Sequence, residues 1–145
     1  MKKRVLFVMS TLLLVLLLAA CGGATGSTSS SGSRTLVQVT ETDFKIASSV
    51  RTLTPGTSYH FVVTNNGQTA HEFMIMPKAE GSMSDMPMSH MDSMVLAKVD
   101  NIAPGQTKTL DYTFPSSTAG SRPQFACYYP GHYEAGMRLD VTVNS

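Results

Sequence analysis

With 145 residues, eleven basic and ten acidic side chains, the chain has room for one ordinary domain and lacks the charge excess that would suit it to nucleic acid. Two cysteines cannot build a disulfide scaffold, and an aromatic content of 8% without tryptophan implies a modest core.

The N-terminus is the first element. Lys2, Lys3 and Arg4 precede an apolar run over 5–18 that only Ser10 and Thr11 interrupt, and small residues then lead into Cys21. That order is a secretory signal, and the run is too short for a comfortable membrane span. Leu18-Ala19-Ala20-Cys21 resembles a bacterial lipobox, in which cleavage before the cysteine exposes a thiol that becomes lipidated. Ordinary cleavage near Ala20 is the alternative, leaving Cys21 as a free thiol or a disulfide partner. On the lipobox reading residues 1–20 are the signal, and residues 21–34 are an anchor cysteine with a flexible tether. The Gly, Ser, Thr and Ala composition of 22–33 cannot bury a core and gives an r.m.s. reach of roughly 20 Å. Removing the signal leaves eight basic against ten acidic residues. The reading places the protein outside the cytoplasm, held to the cell membrane. Cys127 then has no disulfide mate in an oxidising compartment.

The remaining segment, 35–145, reads as strands. Val37 and Val39 share one parity and Phe44 and Ile46 the other, which predicts one strand with a bulge or bend near Thr42 and Asp43. Tyr59, Phe61 and Val63 alternate up to the turn Asn65-Asn66-Gly67. His71, Phe73 and Ile75 face one way, and Leu110, Tyr112 and Phe114 alternate behind Pro104-Gly105. Phe125 and Cys127 share a face, and Met137, Leu139, Val141 and Val143 form a last amphipathic strand. Short strands punctuated by such turns predict an all-β, antiparallel Greek-key β-sandwich. Residues 77–94, PKAEGSMSDMPMSHMDSM, read as a polar, Met-rich insertion loop with no helical period.

Chemistry concentrates in CYYPGHYEAGM, residues 127–137. A thiolate, two imidazoles and a weak axial thioether form the ligand set of a blue-copper electron-transfer site. Cys127, His132 and Met137 supply three of these; Pro130, Gly131 and Gly136 let so short a loop turn around one metal. His71, just before Phe73 and Ile75, is the best placed second imidazole. Its rivals are His60, in mid-strand on the less apolar parity, and His90, in the insertion.

These residues resemble the cupredoxins, small blue-copper proteins with a Greek-key β-sandwich, and the resemblance covers the whole of 35–145. CxxPGH is similar to the ligand loops of azurin and auracyanin, and CxxPGHxxxGM to those of rusticyanin and sulfocyanin. The resemblance implies that His71, Cys127, His132 and Met137 hold one copper ion, and that the C-terminal ligand histidine presents its edge at an apolar surface through which electrons leave. In azurins and plastocyanins an asparagine follows the first ligand histidine and pins the two ligand loops together. Here that position is Glu72.

Four histidines without an HxH pair, and Ala126 and Tyr128 flanking the cysteine, leave nothing for the further copper centres of an oxidase or nitrite reductase. A dinuclear centre needs a second thiolate, and a purely structural or adhesive domain leaves Cys127 unexplained. The expected function is therefore that of a monomeric, membrane-anchored carrier, with no bond chemistry of its own. It passes single electrons between a redox donor and acceptor, such as a cytochrome or membrane complex. The alternative is copper trafficking or resistance. Met83, Met86, Met88, His90, Met91 and Met94 are then an auxiliary Cu(I) set, since thioethers are soft ligands, although the same residues can equally form an adaptable docking surface.

Overall fold

The computed structural model describes residues 33–78 and 87–145. The expected signal, Cys21, nearly all of the tether, Met83 and Met86 lie outside them. Ten strands follow in chain order: β1 (Thr35–Thr42), β2 (Lys45–Ser48), β3 (Thr52–Leu53), β4 (Ser58–Asn65), β5 (His71–Met76), β6 (Ala97–Ile102), β7 (Thr107–Thr113), β8 (Gln124–Ala126), β9 (Arg138–Asp140) and β10 (Thr142–Val143). One sheet runs β2-β1-β4-β7, the other β6-β5-β8-β9, and β10 pairs with β3.

Alternation decides which face is buried. Val37, Val39 and Glu41 of β1 and Tyr59, Phe61, Val63 and Asn65 of β4 point inward, while the residues between them are half-buried or exposed. They meet Phe73, Ile75, Phe125 and Cys127 from the second sheet in one core. Phe61 lies 5.7 Å from Phe73 and 5.6 Å from Phe125, ring centre to ring centre, so aromatic contacts join the layers at the middle.

The sandwich is as expected, with four differences of detail. β1 and β2 are two antiparallel strands, not one bent strand: Thr42 pairs with Lys45, and the chain reverses at Asp43-Phe44, where Phe44 takes φ 69°. β1 pairs with β4 in parallel, as does β10 with β3; chain-order alternation carries no information about such non-local partners. The expected last strand is divided at Val141, whose N–H bonds to Pro123 as the chain passes from the second sheet to β3. Parity survives, so Met137, Val141 and Val143 all still point into the core.

The insertion is not wholly loop. Met88–Met94 forms helix α1. Only Met91 and the half-buried Met94 among its described side chains turn inward, which is too sparse a pattern to read as helical in a methionine-rich sequence.

Candidate metal centre

Two segments converge at one end of the sandwich. The first is the turn that delivers His71. Asn65, inward and fully buried, donates from Nδ2 to the carbonyls of Thr69 and Ile102, each at 2.8 Å, and its Oδ1 accepts the Gly67 N–H at 2.7 Å. Asp43, at the β1–β2 turn, accepts the N–H of Gln68 at 3.0 Å and the Thr69 hydroxyl at 3.1 Å. These bonds fix the loop from both sides. His71 is left fully buried, with Nε2 3.4 Å from the Asp43 carboxylate. A carboxylate behind one ring nitrogen orients the other toward a metal. Burial pulls the His71 pKa down, with the nearby His132 adding to it, against the opposing pull of Asp43. The neutral, ligating form is thereby favoured.

The second segment is the loop from Cys127 to Met137. The Cys127 N–H bonds to the Met137 carbonyl at 3.1 Å, and the Met137 N–H to the His132 carbonyl at 3.0 Å, so the loop closes on itself. His132 opens a single helical turn, α2 (His132–Ala135), bounded by glycines in the left-handed region at φ 81° (Gly131) and 118° (Gly136). A side chain at Gly136 would also lie 3.0 Å from the Phe44 carbonyl.

His71, Cys127 and His132 come together: one ligand atom from each lies within 4.8 Å of the others. The Nδ1 atoms of the two histidines are 3.2 Å apart, and Cys127 Sγ lies 3.5 Å from His132 Nδ1. Met137 is fully buried in the adjoining core. His71 and Cys127 are buried as well, whereas His132 is half-buried, with Phe44 and Tyr129 set edge-on to its ring at 6.3 and 5.9 Å. Phe44 itself is 55% exposed, so an apolar side chain stands at the surface beside the His132 ring.

The donors suit a soft, small cation. Burial pushes the Cys127 thiol up to about 11, which keeps it protonated and unreactive as a free thiol until a metal displaces the proton. One cysteine sulfur and two imidazoles, with only His132 half-buried, match the His₂Cys donor set of blue copper.

Glu72 answers for the missing asparagine. It is 4% exposed, and its Oε1 accepts the Tyr128 N–H at 2.9 Å, so it ties the strand carrying His71 to the residue after Cys127. Burial raises its pKa, and that hydrogen bond pulls back against the rise. The link between the two ligand segments is present, made by a carboxyl.

The rival histidines lie elsewhere. His60 sits on the outer face of β4, with Nδ1 2.6 Å from Asp111, which also binds Arg34 at 2.9 Å; His90 is exposed on α1. Of the auxiliary set, Met91 is buried and Met94 half-buried. They pack with Met74, Met76, Ala126 and Tyr128 on the outer face of the second sheet, away from His71. Met88 belongs to α1. Asp43, Phe44 and Asn65 carry no local sequence signal of a site: Asp43 and Phe44 lie at a β1–β2 turn that strand parity alone presents as a bulge, and Asn65 stands in an ordinary Asn-Asn-Gly turn sequence.

No protein-family model matches the chain. The copper-resistant cuproprotein CopI of Pseudomonas aeruginosa is 31% identical over 119 residues, covering 61% of this chain and 64% of that protein. The proteins of the same name from Vibrio cholerae and Rubrivivax gelatinosus are 35% and 32% identical, covering 59% and 63% of this chain. The chain thus spans only between half and two thirds of these relatives. Among solved structures, auracyanin B aligns over 77% of this chain and 89% of its own, with a TM-score of 0.62 and 17% identity. Reduced auracyanin from Roseiflexus castenholzii covers 78% and 98%, at 0.57 and 21%. Azurin of Methylomonas sp. strain J covers 78% and 100%, at 0.59 and 17%. The chain has the cupredoxin fold.

Proposed function

We propose that the chain is a mononuclear type 1 copper protein that carries single electrons between extracytoplasmic redox partners. It is held to the membrane through Cys21 and catalyses no bond chemistry. The carrying observation is the approach of the buried His71 and Cys127 to the half-buried His132, with ligand atoms within 4.8 Å. Met137 is the fourth donor on this reading. Bound copper supplies one-electron redox chemistry; the protein supplies the rest. Cys127 gives up its proton on metal binding, the core excludes water, and Asp43 and Glu72 hold the two ligand segments in place. His132 offers a half-buried ring edge, between Phe44 and Tyr129, to a donor or acceptor such as a cytochrome or membrane complex.

The test is optical. Adding Cu(II) to the copper-free protein should give one equivalent bound and an intense visible thiolate-to-copper absorption that Cys127→Ser abolishes. Colourless protein with stoichiometric Cu(II), or colour that survives the substitution, would overturn the assignment.

A second reading, copper handling or resistance, is supported by the names of the relatives and by the methionines of α1. Counting Cu(I) equivalents before and after deletion of residues 83–94 separates the two readings. A carrier binds one in both cases, and a handling protein loses extra equivalents on deletion.

A further inference from the structure

The methionines divide unevenly between the two layers of apolar packing. The main core has sixteen buried residues and a single methionine, Met137. The smaller cluster on the outer face of the second sheet has five buried residues, of which three are methionines, Met74, Met76 and Met91, with Met94 packed against them. If thioethers served here only as adaptable filler, they would be as useful in the larger core, where aliphatic and aromatic side chains suffice.

β5 makes the division residue by residue. Phe73 and Ile75 point into the main core, and Met74 and Met76 point the other way, both fully buried beneath α1. Met74 pairs in register with Ala126, so its neighbour on β8 carries the smallest side chain that could stand there. The Tyr128 hydroxyl, in a residue 6% exposed, has no hydrogen-bond partner among the described residues and lies in the same cluster. Three thioethers and the Tyr128 hydroxyl thus belong to one buried cluster.

The cover is a short helix, tied to β6 by the Asp92–Lys98 ion pair at 2.9 Å. α1 has seven residues, no side-chain cap at Pro87, no acidic residue in its first turn and no basic residue in its last. A helix that short is marginal alone and is held by packing, here chiefly through Met91. Lifting it would bring Met74 and Met76 to solvent together with a third thioether on the moving piece.

We propose that Met74, Met76 and Met91 form a second metal site, selective for a soft monovalent ion such as Cu(I) and closed by α1. Thioethers favour Cu(I) over harder ions, and all three stay uncharged, so the site needs no proton release to load. The inference deepens the copper-handling reading and is independent of the centre at Cys127.

The test begins with Cys127→Ala/His132→Ala, which removes the first centre. This protein should take up one Cu(I) in competition with a chromophoric Cu(I) chelator, and adding Met74→Leu, Met76→Leu and Met91→Leu should weaken that uptake by about tenfold or more. Leucine is close to methionine in volume, so the fold is preserved. With all methionines intact and methyl-labelled, Ag(I) as a redox-inert probe should shift the methyl resonances of Met74, Met76 and Met91. Uptake unaffected by the three leucines, or Ag(I) shifts confined to other methionines, would overturn this site while leaving Met-based copper handling standing. No Cu(I) uptake beyond the first centre would overturn both.

Discussion

Glu41 is the least comfortable residue in the core. It is fully buried, and neither carboxylate oxygen has a hydrogen-bond partner among the described residues. Burial, reinforced by Glu72, pushes its pKa up to about 8. A raised carboxyl pKa means that the folded protein holds this proton more tightly than the unfolded chain. The group's contribution is therefore fully present below the ordinary value of 4.5 and is lost as pH rises from there through about 8. Glu41→Gln removes the dependence. In the copper-free protein the variant should gain on the parent by on the order of 1–3 kcal/mol between pH 5 and 9, read from urea unfolding. An offset that does not change with pH would contradict this account. Comparing variant with parent also cancels the opposite slope from His71, whose pKa is lowered. Met137 offers the second prediction at this scale. Met137→Leu nearly conserves volume and should keep both fold and copper, yet raise the reduction potential if, as proposed, Met137 would supply a thioether donor to the copper. A potential that does not move would mean that Met137 is no ligand.

The turn between β4 and β5 shows how an element makes a site. A methyl group at Gly67 would lie 2.6 Å from Asp43 Oδ1 and 2.7 Å from His71 Nε2, so the glycine is there for close approach. Gly67→Ala should cost about 1–3 kcal/mol of stability and, by displacing His71, alter the visible spectrum of the copper-loaded protein. An unchanged spectrum would show that Asp43 and His71 can part without consequence for the metal. This turn also marks where sequence reading stops. Strand parity exposes the core-facing Phe61, Phe73 and Phe125, and the compact spacing of Cys127 and His132 exposes two of the three residues whose ligand atoms converge, because both are local patterns. Asp43 reaches His71 across 28 positions, and Glu72 reaches Tyr128 across 56, so neither leaves a mark in a window of sequence. The hairpin at Phe44 was hidden because a turn in which a bulky residue takes a positive φ lacks the Gly or Asn that usually announces it. α1 was hidden by its composition, in which the buried Met91 and the outward residues around it differ little in apolar periodicity.

At the scale of the whole molecule, the two ligand segments are held by hydrogen bonds from Asn65, Asp43 and Glu72 to backbone groups, none of which spends a candidate ligand atom. Binding should then stabilise the fold more than remake it. At a free copper concentration about 1,000 times the dissociation constant, the gain is about 4 kcal/mol, or a rise in melting temperature on the order of 10–20 °C for a domain of this size. Calorimetry of copper-free and copper-loaded protein reads it directly, and Cys127→Ser should lose most of the rise. Equal melting temperatures at saturation would show that copper meets the unfolded chain as well as it meets the folded one.

β1 also gives the molecule a compass. Its last residue, Thr42, leads into Asp43 and Phe44 beside His71 and His132, while its first, Thr35, lies at the far end of an eight-residue strand, about 23 Å away. Whatever holds the chain by residues before Thr35 takes hold of the pole opposite the metal centre. The same protein wired to an electrode through its N-terminal side should conduct poorly, and through the Phe44 face well.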